Sequence, residues 1–456
     1  MDLRLIQNVL AGRSEIAQWQ VTERRSRRFE RYLTFLKPES EREASSVRWQ
    51  VWIALPPNPD GTQGEAGFTV TPVHGGPDLR TLLAAAITSA ASAPNRAWKL
   101  PGPGDTGAAA GWRGGVVACN VAGGAATGAQ MATATDFLAD QQITRDPGQA
   151  LNANLALFSD AVHAAPWTRP SAIELFASID DRRLVNHRGL DLSERRTRCY
   201  AEFVLLHRGA NGEESEYYDR CEAASLGELR LAERVADAAD CLRDGAAAGP
   251  PPAGRLPVLI GGEYLAGLMG WYAAHADAAQ HVRNIAALTL DAPVVEPCGG
   301  DRLNLSSDAI VPSLAAYRFD EHGYAACRQD FIQDGVLTAL HGAGRWMQVL
   351  ERQPRGQLAT LVAPPGRHGV AELRHGSLEV VRFSEFHPRH DTGAFSGEIR
   401  FGWWNAPDGS RIAVKGGSVS GVLREAMTGA SFSREVATVG GWHGPEWMRM
   451  HAMVAV

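Results

Sequence analysis

No stretch of about 18 uninterrupted apolar residues occurs in the chain, so nothing in it is read as a membrane span. The opening Met-Asp-Leu-Arg-Leu-Ile-Gln-Asn-Val-Leu has no basic region ahead of an apolar one, so a secretory signal is not expected and a cytoplasmic location is. Cysteine is sparse: six residues, Cys119, Cys199, Cys221, Cys241, Cys298 and Cys327, with no C-x-x-C pair. Free thiols are expected, and neither a disulfide frame nor a zinc knuckle. A basic surplus is also missing, because 45 Lys+Arg against 51 Asp+Glu leave a formal charge of −6. That argues against a general nucleic-acid binder.

Several catalytic signatures are absent as strings: Gly-x-Ser-x-Gly, Ser-x-x-Lys, the phosphate-binding Gly-x-x-x-x-Gly-Lys-Ser/Thr, His-Glu-x-x-His and His-x-x-Glu-His. The Gly-Ala-Gly at Gly342 to Gly344 is not a dinucleotide fingerprint. Serine hydrolase, cysteine hydrolase and nucleotide chemistry therefore lose their sequence support.

What is present is the composition of a globular protein, 45% hydrophobic and 21% charged over 456 residues, long enough for two or three domains. Helical spacing of Leu3, Ile6, Leu10 and Ile16 predicts a helix from Leu3 to about Trp19. The run Arg24 to Arg28, surrounded by glutamates, is expected on a solvated strand edge. Strict alternation predicts a strand over Ser46 to Leu55, with Val47, Trp49, Val51 and Ile53 on one face, and a return strand over Gly67 to Val73. Helices are expected at Leu79 to Ala91 and Gln149 to Ala164, with strands at Ile173 to Leu184 and Cys199 to His207. Ser225 and Glu228 form an S-x-x-E capping box in front of a helix expected over Leu226 to Arg243. The Gly/Ala-rich segment 101–128 has no period and is expected to make a long surface excursion.

The Pro/Gly-rich tract near Gly249-Pro250-Pro251-Pro252 cannot be helical and marks the expected domain boundary. The expected organisation is an α+β domain over 1–248, a linker over 249–256, and a mainly β domain over 257–456 with a central helix at 262–276. Pro257 to Ile260 is a short buried strand. Further short strands are expected at Tyr317 to Phe319, Cys327 to Ile332, Leu378 to Phe383, Glu398 to Trp403 and Arg411 to Lys415.

Fourteen histidines supply candidate metal ligands. His387, His390 and Asp391 stand within five residues, although Arg389 between them disfavours a cation. His275 and His281, six apart, would point to opposite faces of one helix. The tryptophans of the second half are read mainly as core.

The order of features resembles the TldD/PmbA family. The likeness is carried by Arg183-Leu184-Val185-Asn186-His187-Arg188-Gly189, by Pro257-Val258-Leu259-Ile260 entering the central helix, and by Phe319-Asp320-Glu321-His322-Gly323 followed by Phe331-Ile332-Gln333-Asp334-Gly335-Val336-Leu337. It continues through Gly397 to Gly402 and Val414 to Leu423. The resemblance implies a two-domain fold and a cytoplasmic zinc metallopeptidase made of two unlike subunits. In the catalytic TldD type the central helix carries His-Glu-x-x-x-His, and a cysteine near the C-terminus is the third ligand. Read onto Gly262-Glu263-Tyr264-Leu265-Ala266-Gly267, the motif keeps Glu263 as a remnant of the family glutamate and loses both histidines. Val439 to Gly444 has no cysteine, and His443 stands beside its expected place.

The resemblance therefore implies a TldE-type subunit with no metal or other cofactor of its own and no catalytic residue. A TldD-type partner would supply the zinc, and the pair would cleave unfolded or leader-type peptides, binding neither nucleic acid nor membrane. Two alternatives stand beside it: a self-sufficient metal-dependent hydrolase with a rearranged site at His387, His390, Asp391 or His443, and a scaffold of the same fold without proteolysis.

Overall fold

The computed structural model describes residues 2–72, 78–105, 138–209, 212 and 214–456. The first group of elements is α1 (Leu3–Ala11), β1 (Gln18–Thr34), β2 (Lys37–Ala54), β3 (Thr62–Val70), α2 (Leu79–Ser92), β4 (Pro94–Arg96), α3 (Gln141–Arg145), α4 (Pro147–Ala164), β5 (Thr168–Asn186), β6 (Asp191–Arg208), β7 (Glu214–Ala223) and α5 (Leu231–Gly245). Its strands form one sheet in the order β4-β3-β2-β1-β5-β6-β7. Helices pack on one side of it: Ile143, Leu151 and Leu231 meet Leu175, Ala177 and Ile179, while Leu3, Ile6 and Leu83 meet Trp49, Val51 and Ile53.

The second group starts with β8 (Gly254–Gly261), α6 (Gly262–His275) and α7 (Ala278–Val282). Short strands follow: β9 (Leu305–Asp308), β10 (Gln329–Gln333), β11 (Val336–Leu337), β12 (Thr360–Val362), β13 (Ser377–Pro388), β14 (Ala394–Asn405), β15 (Arg411–Val414), β16 (Ser418–Val422), β17 (Ser431–Phe432), β18 (Val436–Val439), β19 (Trp442–Pro445) and β20 (Trp447–Ala455). They make two further sheets, β11-β10-β9-β12-β19-β18 and β13-β8-β20-β16-β14-β15, the latter with β17 on β20. α6 is apolar around most of its circumference, as a helix enclosed by sheets must be; its Leu265, Leu268, Met269, Trp271 and Tyr272 join residues of both sheets in the largest core. The architecture is mixed α+β, as the sequence predicts.

Polar ties hold the first sheet to the later residues. Arg196 donates to the carbonyls of Leu314 and Ala316, Gln20 Nε2 donates to the carbonyl of Glu321 at 2.7 Å, and the Arg318 amide donates to Glu194 at 2.9 Å. Arg182 pairs with the buried Glu194 at 3.0 Å and lies over the Phe319 ring at 4.2 Å.

Some elements differ from expectation. α1 stops at Ala11, where the Gly12 amide closes on Asn8, and Trp19 is already in β1; the Ala17 amide bonds the Ala54 carbonyl at 2.8 Å and starts the ladder. Arg24 to Arg28 are solvated in part but not at an edge, because β1 lies between β2 and β5. Glutamates two residues along the same strand answer part of their charge: Arg25 pairs with Glu23 at 2.9 Å, and Arg28 pairs with Glu30 at 2.7 Å. The capping box serves a single 3-10 turn, Gly227–Leu229; Arg230 then adopts φ 50, and α5 begins only at Leu231. Tyr317 to Phe319 make no strand, only an isolated bridge from Phe319 to Ala325. The tract at 249–256 enters β8 at Gly254. Residues 106–128 of the Gly/Ala-rich segment lie outside the described residues.

Candidate functional site

The helix that follows β8 is the natural place to look for chemistry, since both sheets of the second group converge on it. Gly262 turns the chain from strand to helix at φ 57, a conformation costly to a residue with a Cβ. Glu263 stands in the first turn, where the helix dipole favours a carboxylate, and its Oε1 meets Arg382 Nη1 at 3.3 Å. Arg382 is largely buried and pairs at 2.6 Å with Asp219, which in turn holds Arg234 at 3.0 Å. Burial opposes the charge on Arg382, yet Asp219 and its other neighbours raise its pKa above the usual arginine value. Glu263 is therefore the outer member of an ion-pair chain linking α6 to β7 and β13.

At the other end of α6 stands His275, 4% exposed. Its Nδ1 accepts the Ala287 amide at 3.0 Å, and its Nε2 lies 2.8 Å from the His390 carbonyl. An amide can only donate and a carbonyl only accept, so the ring is neutral with its proton on Nε2. Burial, the largest cause, lowers its pKa, and that agrees with the tautomer. Neither nitrogen has a lone pair left for a ligand. His281 lies on α7 and not on the same helix; its Nε2 is 3.0 Å from the His275 carbonyl, so the two histidines meet where opposite faces were expected.

The remaining candidates do not converge. His387 is exposed beside Glu385 at 2.9 Å, and Asp391 pairs with Arg389 at 3.0 Å within its own turn. His390 contributes its carbonyl to His275 while its side chain is exposed. His443, on β19 in the other sheet, has Nδ1 2.8 Å from Thr438 Oγ1. Among the described residues no group of three His, Cys, Asp or Glu could hold a metal ion, and no helix is long and apolar enough to cross a membrane.

Residues 253–455 match the family model described as the PmbA/TldA metallopeptidase C-terminal domain. The match lies in the second half of the chain. No curated protein matches the chain. Solved structures share its fold over nearly the full length. A candidate modulator of a DNA gyrase from Thermotoga maritima has 14% identity and a TM-score of 0.74, covering 100% of both chains. TldE from Thermococcus kodakarensis has 14% identity and a TM-score of 0.72, covering 98% of this chain and 99% of its own. A candidate modulator of DNA gyrase from Bacteroides thetaiotaomicron has 15% identity and a TM-score of 0.75, covering 99% of this chain and 98% of its own. The likeness to these structures shows the TldD/PmbA-like fold.

Within the matched residues, α6 is the central helix on which the metallopeptidase motif is expected, and the chain's residues do not fit zinc there. Placed so that it ends on His275, the only histidine of α6, His-Glu-x-x-x-His would need a histidine at Gly270 and a glutamate at Trp271. Glycine offers no donor, and the indole of Trp271 packs against the His275 ring with centroids 4.5 Å apart. Read onto Gly262 to Gly267 instead, the motif keeps Glu263 and has glycine at both histidine positions. Both placements lie within α6, and neither supplies two histidines.

Proposed function

We propose that this protein is the non-catalytic, TldE-type subunit of a two-subunit peptidase, whose TldD-type partner holds the zinc that activates water. The observation that carries the reading is His275: the one histidine of the central helix has both ring nitrogens committed to backbone groups, with glycine and tryptophan at the spacing of the other two motif residues. A metalloprotease site needs at least three protein ligands and an open position, and this helix offers none.

The substrate would be an unfolded or leader-type peptide held in extended form. The outer edge of β2 supports strand addition, in which backbone hydrogen bonds supply affinity. β3 covers β2 only from Trp49 onward, so among the described strands none pairs with the outer side of Lys37 to Arg48. Charged residues along that stretch discourage indiscriminate pairing. Location in the cytoplasm belongs to the same proposal.

The test is metal content of the purified chain, alone and after co-expression with a TldD-type protein carrying His-Glu-x-x-x-His. Zinc at about one ion per pair in the co-purified complex, with none in the chain alone, is the expected result. Stoichiometric zinc in the isolated chain overturns the proposal, and failure to co-purify with any such partner favours the scaffold reading.

A further inference from the structure

Across the second sheet, strand register places Asp330 of β10, Ser306 of β9, Val362 of β12, His443 of β19 and Thr438 of β18 in one transverse row. The neighbouring row, Gln329, Ser307, Leu361 and Trp442, is buried, with Leu361 and Trp442 in the core that contains α6. The first row therefore faces away from α6, and over it opens a cleft of about 700 Å³. That volume lies in the range of ligand sites.

One end of the cleft has a surplus of negative charge. Asp330 Oδ1 accepts from Ser306 Oγ at 2.8 Å and from Arg328 Nε at 3.1 Å. The same guanidinium donates to Ser306 Oγ at 3.1 Å and reaches Asp308 at 3.5 Å. A single arginine thus serves two carboxylates, which leaves the group of three with a net negative charge. Asp330 Oδ2 accepts nothing among the described residues. A wall of Pro364, Pro365 and Val436 gives the cleft an apolar side. His443, three strands from Asp330 and hence about 14 Å away, has Nδ1 engaged by Thr438 and leaves Nε2 for the cleft it lines.

We propose that this cleft binds a primary ammonium group on an extended chain, either the amino terminus of a peptide or the end of a lysine side chain. Asp330 Oδ2 receives the ammonium, Pro364, Pro365 and Val436 cover the aliphatic part, and His443 Nε2 meets a peptide group at the far end. Four extended residues span about 13 Å, which matches the row. An anion is disfavoured because Asp330 and Asp308 together outweigh the one positive charge of Arg328, and a metal because the ligands do not converge. The inference rests on the peptide-handling reading and specifies the class of peptide.

Isothermal titration of the full chain with three capped peptides tests it: Ala-Val-Ala-Val amide with a free amino terminus, the same peptide N-acetylated, and N-acetylated Ala-Lys-Ala-Val amide. The free-amine or lysine peptide, or both, should bind at least about tenfold tighter than the acetylated lysine-free one, the worth of one charge-assisted hydrogen bond; which of the two does so identifies the source of the ammonium. Asp330→Asn should erase that difference, and Val436→Trp, on the exposed rim, should block binding without touching the Asp330 contacts. Equal binding of all three peptides, binding by none of them, or discrimination that survives Asp330→Asn overturns the inference. The measurement needs neither zinc nor a partner. Failure here leaves the two-subunit proposal standing, while zinc in the isolated chain overturns that proposal without moving this result.

Discussion

Asp320 is buried and the His322 side chain largely so, and each resists its charge. Burial pushes the Asp320 carboxyl up to about 7, although its Oδ1 accepts the His322 and Tyr324 amides, both at 2.9 Å. The folded protein keeps that proton at pH values where the unfolded chain has lost it. Its contribution to stability is therefore full below about pH 4 and falls as pH rises towards 7. His322 runs the other way: burial pulls it down to about 4, so stability is lost as pH falls from about 6.5 towards 4. Asp320→Asn keeps the accepting oxygen and removes the first dependence. Relative to wild type, the variant should gain stability between pH 4 and 7, by on the order of 4 kcal/mol at most. Urea denaturation at pH 4.5 and pH 7 checks this, and an unchanged difference between the two proteins would sink it. Arg382→Ala leaves the buried Asp219 with Arg234 as its remaining ion-pair partner, and a loss of about 3 kcal/mol is expected in the same experiment. Asp320 and His322 were visible in the sequence only as letters of a family-like string, and Arg382 only as part of an expected strand; that Arg382 is shared by two carboxylates depends on elements more than a hundred residues away.

Among the elements, the strand-to-helix turn at Gly262 offers the cleanest prediction. No atom lies within 4 Å of where its Cβ would be, so Gly262→Ala meets no clash. The cost comes from φ 57 alone, about 1 kcal/mol, and thermal unfolding should show a small shift with unchanged far-ultraviolet circular dichroism. Elements with a strong local period were legible: the alternation predicted over Ser46 to Leu55 lies in β2 as far as Ala54, and the helices predicted at Leu79 and Gln149 appear as α2 and α4. Elements decided by distant partners were not. Ile16 keeps helical spacing with α1, yet the ladder to Ala54 takes the chain first. The arginines of β1 look like an edge when read alone, because the sequence does not show which strands flank them. The capping box was read as the start of one helix over Leu226 to Arg243, but it serves a 3-10 turn, and Arg230 in the left-handed region separates that turn from α5.

At the scale of the whole molecule, the first sheet is tied to the rest through backbone carbonyls of the 314–321 segment. Arg196 alone answers two of them. Arg196→Ala should loosen this segment and make it more susceptible to protease, with new cleavage between residues 314 and 321 resolved by mass spectrometry and no change in overall helix or strand content. Unaltered cleavage would show that the remaining ties suffice. The overall α+β architecture was legible from the change in pattern after the proline tract. The candidate site was less so, because a buried, saturated histidine such as His275 looks the same in sequence as an open one.

His275 also bears on reversibility. Its ring joins three separate stretches of chain, the helix, the Ala287 amide and the His390 carbonyl, so its present role is that of a rivet. Grafting the two missing motif residues, Gly270→His with Trp271→Glu, would restore the letters of a zinc helix while leaving the third side chain bolted in place. The double variant should take up no zinc at micromolar concentration in equilibrium dialysis. Freeing this ring for any other ligand requires the segments around 287 and 390 to withdraw, and substitutions at Gly270 and Trp271 leave both of those hydrogen bonds in place.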